Sequence, residues 1–214
     1  MSKKEVYIIG AGTYGEVMHE LAEILGYKIL GYYDENEEKL GIDIMGVKVL
    51  GKFSELNCSE IFDRQYIVAI GNNLIRQNLM QLINKYGGKT PSLIHPTAVI
   101  SPSAEIGKGV YIHANTNIWT KVKISDYTII SPNVVIAHHT KVGKACLIST
   151  LAGVGASINI EERCFIGMGS TIVTGVNNIG KDTTVGAGAV VLKDLDSECV
   201  YAGVPAKKLR KLNA

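Results

Sequence analysis

The chain has 214 residues, 46% apolar and 20% charged, enough for two small domains and far too apolar for a disordered protein. A net charge of +2 gives no electrostatic case for nucleic acid or a lipid surface as the main partner. No apolar run approaches the roughly 18 residues that a membrane-spanning helix needs. Ile and Val number 45, against three Phe and one Trp, a core composition that points to repeated strands. Four cysteines at positions 58, 146, 164 and 199 show no Cys-x-x-Cys spacing, so neither a disulfide framework nor a zinc knuckle is indicated.

The first residues, Met1-Ser2-Lys3-Lys4-Glu5, lead into an apolar run too short for a signal peptide, and a cytoplasmic protein is expected. Residues 6–9 read as a buried strand. They are followed by Gly10-Ala11-Gly12-Thr13-Tyr14-Gly15 and an amphipathic helix over 16–25, in which His19 is expected to be partly exposed. Further strands are predicted over 28–33, ending in Asp34-Glu35-Asn36, and over 66–70, ending in Gly71-Asn72-Asn73 before a helix at 74–86. Alternating strand and helix implies a small parallel α/β sheet over residues 1–90.

In that setting the glycine turn lets backbone N–H groups approach a phosphate at a helix N-terminus. Asp34 is placed to accept from ribose hydroxyls. A tight structural turn is the competing reading. About 90 residues hold one mononucleotide half of a doubly wound fold, which favours a nucleotide diphosphate carrying something smaller than a second nucleoside. Gly71, Asn72 and Asn73 end a strand on the same edge, as ligand contacts or as a cap for the next helix.

From Ile94 an aliphatic residue recurs every sixth position through Ile172, and the frame resumes at Ile179, Val185 and Val191 after one extra residue near Asn177-Asn178. Four positions after each aliphatic sits a small or branched residue such as Val110, Thr116 or Cys146. Period six fits neither a helix nor a simple two-faced strand. It predicts a parallel β-helix over 91–214 in which three hexads complete a triangular coil and residues 18 apart stack at about 4.8 Å. Cys146 and Cys164 are then neighbouring core thiols. His95 and His113 stack on one face, half of a metal site at most. His138-His139 occupy an outward corner, either a solvated corner or a general base.

The hexads combine with Ile9-Gly10-Ala11-Gly12-x-x-Gly15, Ala69-Ile70-Gly71-Asn72-Asn73-x-Ile75-Arg76, Val135-Ile136-x-His138 and Gly203-Val204-Pro205-Ala206-Lys207. Together they resemble the nucleotide-sugar 4-amino N-acetyltransferases. This group includes the bacillosamine- and perosamine-pathway enzymes and the sialic acid O-acetyltransferases, within the left-handed β-helix (hexapeptide-repeat) acyltransferases. The resemblance implies a Rossmann-like nucleotide-sugar-binding domain over 1–90 and a left-handed β-helix acyltransferase domain over 91–214. It also implies a homotrimer, with acetyl-CoA as co-substrate lying between adjacent subunits, and no metal. The activity implied is acetyl transfer to the 4-amino group of a nucleotide-linked 4-amino-4,6-dideoxy sugar in bacterial surface-glycan biosynthesis.

By the same resemblance the catalytic histidine falls on His138, paired with His139. The nucleotide sugar falls to Gly10, Gly12, Thr13, Tyr14, Gly15, Asp34, Glu35, Gly71, Asn72 and Asn73. Acetyl-CoA falls to Ala156, Gly167, Met168, Gly186, Gly203, Pro205 and Lys207. The donor to the thioester oxygen is the Ala156 N–H, which the 18-residue period independently places one coil from His138. The chain departs from the family pattern in three places. His139 replaces an acidic residue, Leu147 a second histidine and Ser131 an asparagine. Sugar O-acetylation, a metal-dependent β-helix lyase or hydratase, and a nucleotide-sensing scaffold are the alternatives. The basic run at 207–211 is read as a solvated tail or as a contact for coenzyme A phosphates.

Overall fold

The computed structural model describes residues 4–212; Met1, Ser2 and Lys3 of the N-terminal segment lie outside the described residues. The chain divides into two compact units between Leu93 and Ile94. No helix among the described residues is long and apolar enough to cross a membrane.

The first unit carries β1 (Lys4–Ile9), α1 (Thr13–Ile24), β2 (Tyr27–Tyr33), β3 (Asp43–Ile44), β4 (Val47–Gly51), α2 (Cys58–Ile61), β5 (Tyr66–Val68) and α3 (Asn73–Lys85). The sheet order is β3-β4-β2-β1-β5, parallel except where β3 meets β4. The carboxyl ends of β1, β2 and β5 therefore lie side by side. That is the edge where open parallel sheets take their ligands.

His19 corrects its expected exposure. It is 2% exposed, and its Nδ1 lies 2.6 Å from the Tyr32 hydroxyl on β2. A polar partner on the sheet lets an imidazole occupy a core position.

In the second unit the hexads form two-residue strands joined by four-residue corners. The first face stacks 99–100, 117–118, 135–136, 153–154, 171–172 and 190–191. The second stacks 105–106, 123–124, 141–142, 159–160 and 178–179. The third runs through 111–112, 129–130, 147–148, 165–166 and 184–185 to 199–202. Partners are 18 residues apart, as in Val135 with Gly153, and 19 apart past the extra residue, as in Asn159 with Asn178. Ile118, Ile136, Val154, Ile172, Val191 and their equivalents fill the interior. Residues 207–211 stay exposed as expected, but as a strand antiparallel to 199–202 and not as a loose tail.

Most corners share one pattern. The first residue donates its N–H to the next coil, as Ala137 does to Val154 O at 2.9 Å. From the corner at 107–110 onward the third is left-handed, and from Tyr127 on it donates in most corners to the preceding coil's backbone, as His139 (φ 62) does to Thr120 O at 2.9 Å and Ser157 (φ 60) to His138 O at 3.0 Å. That conformation costs a non-glycine residue about 1–2 kcal/mol, which the bond between coils helps to offset. The N–H of the second residue enters none of these ladders. Pro96, Pro102 and Pro132 stand at this second position, where proline forfeits nothing. The small residue at the fourth position ties coils from within. Thr140 Oγ1 donates to Gly155 O at 2.7 Å, and Cys146 Sγ to Glu161 O at 3.0 Å.

Candidate functional site

In the first unit, Gly10 ends β1 at φ 104, where a Cβ would lie 2.7 Å from Ala69 O. At Gly15 a Cβ would overlap the Gly10 carbonyl oxygen, so α1 crosses β1 only because this residue is glycine. Gly12 caps α1 and is exposed, and a Cβ there would meet nothing within 4 Å. The chain's packing explains two of the three glycines and leaves the third without an internal reason.

Asp34, just past β2, holds this turn. Its Oδ2 accepts the Ala11 N–H at 2.8 Å and Lys39 Nζ at 3.0 Å, and its Oδ1 accepts the Asn36 N–H at 3.0 Å. Partial burial disfavours the charge, but the donors from Asn36, Ala11 and Lys39 outweigh it and keep the carboxyl below its ordinary value. Glu35 is engaged by Ser54, accepting from its N–H at 3.1 Å and its hydroxyl at 2.6 Å.

Asn72 caps α3, its Oδ1 accepting the Ile75 N–H at 3.0 Å, which is the capping alternative for this residue. Arg76 is fully buried and shapes the turn from beneath. It donates to Ile70 O at 2.9 Å, Gly71 O at 3.2 Å and Asn73 Oδ1 at 2.8 Å. Tyr14 on α1 is pushed above the usual phenol value by burial, with the Arg76 charge opposing. Arg76 stands in the quoted motif, yet nothing in the sequence marks it as the residue that sets the carbonyls of Ile70 and Gly71. A cavity of about 480 Å³ adjoins Asp34, bounded by Asn36, Leu40, Leu50, Lys52 and Glu55. Asp34 and Asn36 stand at a predicted strand end, whereas Leu40, Leu50, Lys52 and Glu55 fall in 37–61, where the sequence predicts no element.

In the second unit, His138 and His139 are both exposed on the corner after 135–136. Their Nδ1 atoms lie 3.1 Å apart with the rings nearly perpendicular, at 87°. One ring must donate and the other accept, so each Nδ1 is consumed and proton exchange at His138 falls to Nε2. Ala156 occupies the same corner position one coil later, and the two corners are joined by the bond from Ser157 N–H to His138 O. The Ala156 N–H is directed at a side chain, Thr174 Oγ1, at 3.1 Å.

Gly167, Met168 and Gly186 stand on a different column, the corners after 165–166 and 184–185, with Gly203, Pro205 and Lys207 following in the C-terminal segment. The six-stranded first face separates this column from that of His138 and Ala156, so one chain does not bring the two together. Packing alone demands glycine at 167 and 186, where a Cβ would lie 2.6 Å from Val185 O and 2.9 Å from the Ala202 Cβ.

His113 is 6% exposed, and burial, with His95 adding to it, pushes its imidazole down to about 4. Among the described residues no group of three or more His, Cys, Asp or Glu is arranged to hold a metal ion.

Residues 5–83 match the family model described as the PglD N-terminal domain. A GDP-perosamine N-acetyltransferase of Escherichia coli O157:H7 is 28% identical over 187 residues, covering 85% of this chain and 82% of the relative. The crystal structure of PerB from Caulobacter crescentus, in complex with CoA and GDP-perosamine, is 32% identical with a TM-score of 0.85, covering 98% of this chain and 99% of that one. The chain belongs to the nucleotide-sugar amino N-acetyltransferases of the hexapeptide-repeat class. The same class includes the acetyltransferase domain of PglB from Neisseria gonorrhoeae in complex with acetyl coenzyme A, 28% identical with a TM-score of 0.67, covering 97% of this chain and 100% of that one. This acetyltransferase pairs a small parallel sheet with a β-helix, as its relatives do.

Proposed function

We propose that the protein transfers the acetyl group of acetyl-CoA to the 4-amino group of a nucleotide-linked 4-amino-4,6-dideoxy sugar. We place it in the cytoplasm, as a homotrimer serving surface-glycan biosynthesis. The observation that carries the reading is the stacking of an exposed imidazole, His138, one coil before a corner N–H, Ala156, that the backbone ladders do not use. That is a proton acceptor beside a donor for a developing oxyanion.

In this mechanism the neutral sugar amine attacks the thioester carbonyl carbon, forming the C–N bond. Negative charge on the oxygen is met by the Ala156 N–H. The proton released from nitrogen passes to His138 Nε2 as the C–S bond breaks and coenzyme A departs. His139 takes the place of the family's acidic residue: in the tautomer this mechanism needs, His138 Nδ1–H donates to His139 Nδ1, 3.1 Å away, which leaves the lone pair on His138 Nε2.

The first unit holds the nucleotide sugar. The Gly10–Gly15 turn, with Thr13 and Tyr14, faces the diphosphate, and the edge at Asp34, Glu35, Gly71, Asn72 and Asn73 receives the rest. Because both already bond within the chain, Asp34 acts chiefly by fixing the turn and Glu35 by tying the end of β2 to Ser54. The trimer supplies what one chain lacks: the His138 column of one subunit faces the Gly167, Met168 and Gly186 column of the next. Exposed Val135, Leu151 and Met168 on or beside the first face support that contact, whereas the second face presents Glu105, Lys123, Lys141 and Asn159 outward.

The test is a panel of UDP-, dTDP- and GDP-linked 4-amino-4,6-dideoxy sugars with acetyl-CoA, following thiol release and product mass. One panel member gaining a single N-acetyl group is the expected result. Acetylation confined to hydroxyl sugars would overturn the reading.

A further inference from the structure

The Ala156 N–H is not idle in the structure: it donates to the hydroxyl oxygen of Thr174 at 3.1 Å. Thr174 holds the same corner position one coil on from Ala156, as Asp126 does relative to Lys108, whose N–H it takes on Oδ1 at 2.9 Å. At these two corners a polar side chain in the second position covers the N–H one coil before it. Ala156, with only a methyl, offers no acceptor to the His138 corner. In the column Thr120, His138, Ala156, Thr174, the hydroxyl of Thr174 falls on the N–H that the mechanism assigns to the acyl oxygen.

Thr174 also sits where the coil departs from its period. The corner from Val173 to Asn177 holds the extra residue, with Gly175 at φ 106 and a bridge between Thr174 and Val176. Thr174 and Gly175 are exposed, whereas Ala156 and the flanking Ile172 and Val176 are buried. The hydroxyl therefore belongs to an exposed stretch of a longer corner, while the N–H it covers is fixed by the coil.

We propose that Thr174 is a specificity-determining residue whose hydroxyl competes with the acyl oxygen for the Ala156 N–H. Acetyl-CoA binds by displacing Thr174 Oγ1 from the donor. Free coenzyme A carries no acyl oxygen and leaves the pair intact. Thr174 thereby sets the relative affinity for co-substrate and product. The proposal rests on the assignment of Ala156 as the oxyanion donor.

The test measures dissociation constants for acetyl-CoA and for CoA, by titration calorimetry without the sugar nucleotide, in wild type, Thr174→Val and Thr174→Ala. Valine keeps the branched shape and removes the acceptor. With one neutral hydrogen bond no longer to be exchanged, acetyl-CoA should bind roughly three- to tenfold more tightly in both variants. The CoA constant should stay where it is. An unchanged or weakened acetyl-CoA constant, or equal changes for both ligands, overturns the proposal.

The double variant Ala156→Pro/Thr174→Ala separates this from the donor assignment. Full turnover there removes Ala156 from the mechanism, and the Thr174 proposal falls with it. Lost turnover there, with an unchanged acetyl-CoA to CoA ratio in Thr174→Val, removes the competitor alone.

Discussion

Proline at position 156 deletes one backbone donor from a coil that already carries proline at this corner position, at 96, 102 and 132. The preceding Gly155 lies in the corner's first position, as Ser131 does before Pro132, so the backbone asks for nothing new. The ring Cδ would meet Thr174 Oγ1, which lies 3.1 Å from the nitrogen, so the substitution is made together with Thr174→Ala and compared with that single variant. Losing the Thr174 bond removes about 1 kcal/mol, a fall in Tm of roughly 2–4 °C for a chain of this size. Adding the proline should change Tm little further. Removing a single oxyanion donor lowers kcat by about 10²- to 10³-fold. The assay is thiol release at saturating sugar nucleotide and acetyl-CoA, with circular dichroism and thermal melts on the same samples. Lys144→Pro, also preceded by glycine (Gly143) but on another corner, is the matched control and should fold and turn over normally. A folded double variant with the kcat of Thr174→Ala would show that the Ala156 N–H does not meet the transition-state oxygen.

His138→Ala should lower kcat by about 10²-fold or more while leaving the acetyl-CoA KM close to wild type; near-normal turnover would exclude His138 as the proton acceptor. His139→Glu should retain activity, since a carboxylate accepts from His138 Nδ1–H as the neutral imidazole does, and complete loss would assign His139 a separate task. His113 links stability to pH. Its folded value of about 4 lies below the unfolded 6.5, so the neutral ring favours the fold above pH 6.5 and that contribution drains away as pH falls towards 4. The full effect is roughly 3 kcal/mol, and Tm should fall less steeply over that window in His113→Gln; parallel curves would refute the linkage. Gly12→Ala should fold normally and raise the sugar-nucleotide KM, whereas Gly15→Ala should lose stability; equal melting temperatures for the two would contradict the packing at Gly15.

The coil was legible because a period of six leaves every interior residue in register, from Ile94 to Ile172, and even the extra residue declared itself as a shift of frame before Ile179. What the period does not encode is what each corner does. Left-handed His139 and Ser157 carry no glycine or asparagine signal, and their conformation is fixed by bonds to neighbouring coils. In the first unit, β3 and β4 were missed for a similar reason. Their turn is Met45-Gly46, both at positive φ, with methionine where asparagine or aspartate would have marked a hairpin. His19 was misjudged because its neighbour, the Tyr32 hydroxyl, comes from another element and leaves no trace in the helical pattern. Among the candidate site residues, the placement of Ala156 one coil from His138 followed from the register. The separation of Ala156 from Gly167 and Gly186 did not, because a periodic string does not state which corner faces which.

Two kinds of residue are mixed in every motif of this chain, and the backbone separates them. Gly10, Gly15, Gly167 and Gly186 are demanded by atoms of the chain itself, so their presence says nothing about a ligand. Gly12 is demanded by nothing within 4 Å, and the Ala156 N–H is used by no ladder. Folding alone leaves Gly12 undetermined, so any constraint on it comes from what the surface binds, whereas Ala156 is buried and its N–H is already taken by Thr174 Oγ1. The same division explains why Asp34 can sit in a binding motif and still act within the chain: its carboxylate orients the Ala11 N–H next to Gly12 and fixes the donor set of the turn. Asp34→Asn keeps an oxygen for that N–H but loses the charge that holds Lys39. It should therefore weaken sugar-nucleotide binding less than Gly12→Ala does, because one loosens the frame and the other blocks the approach.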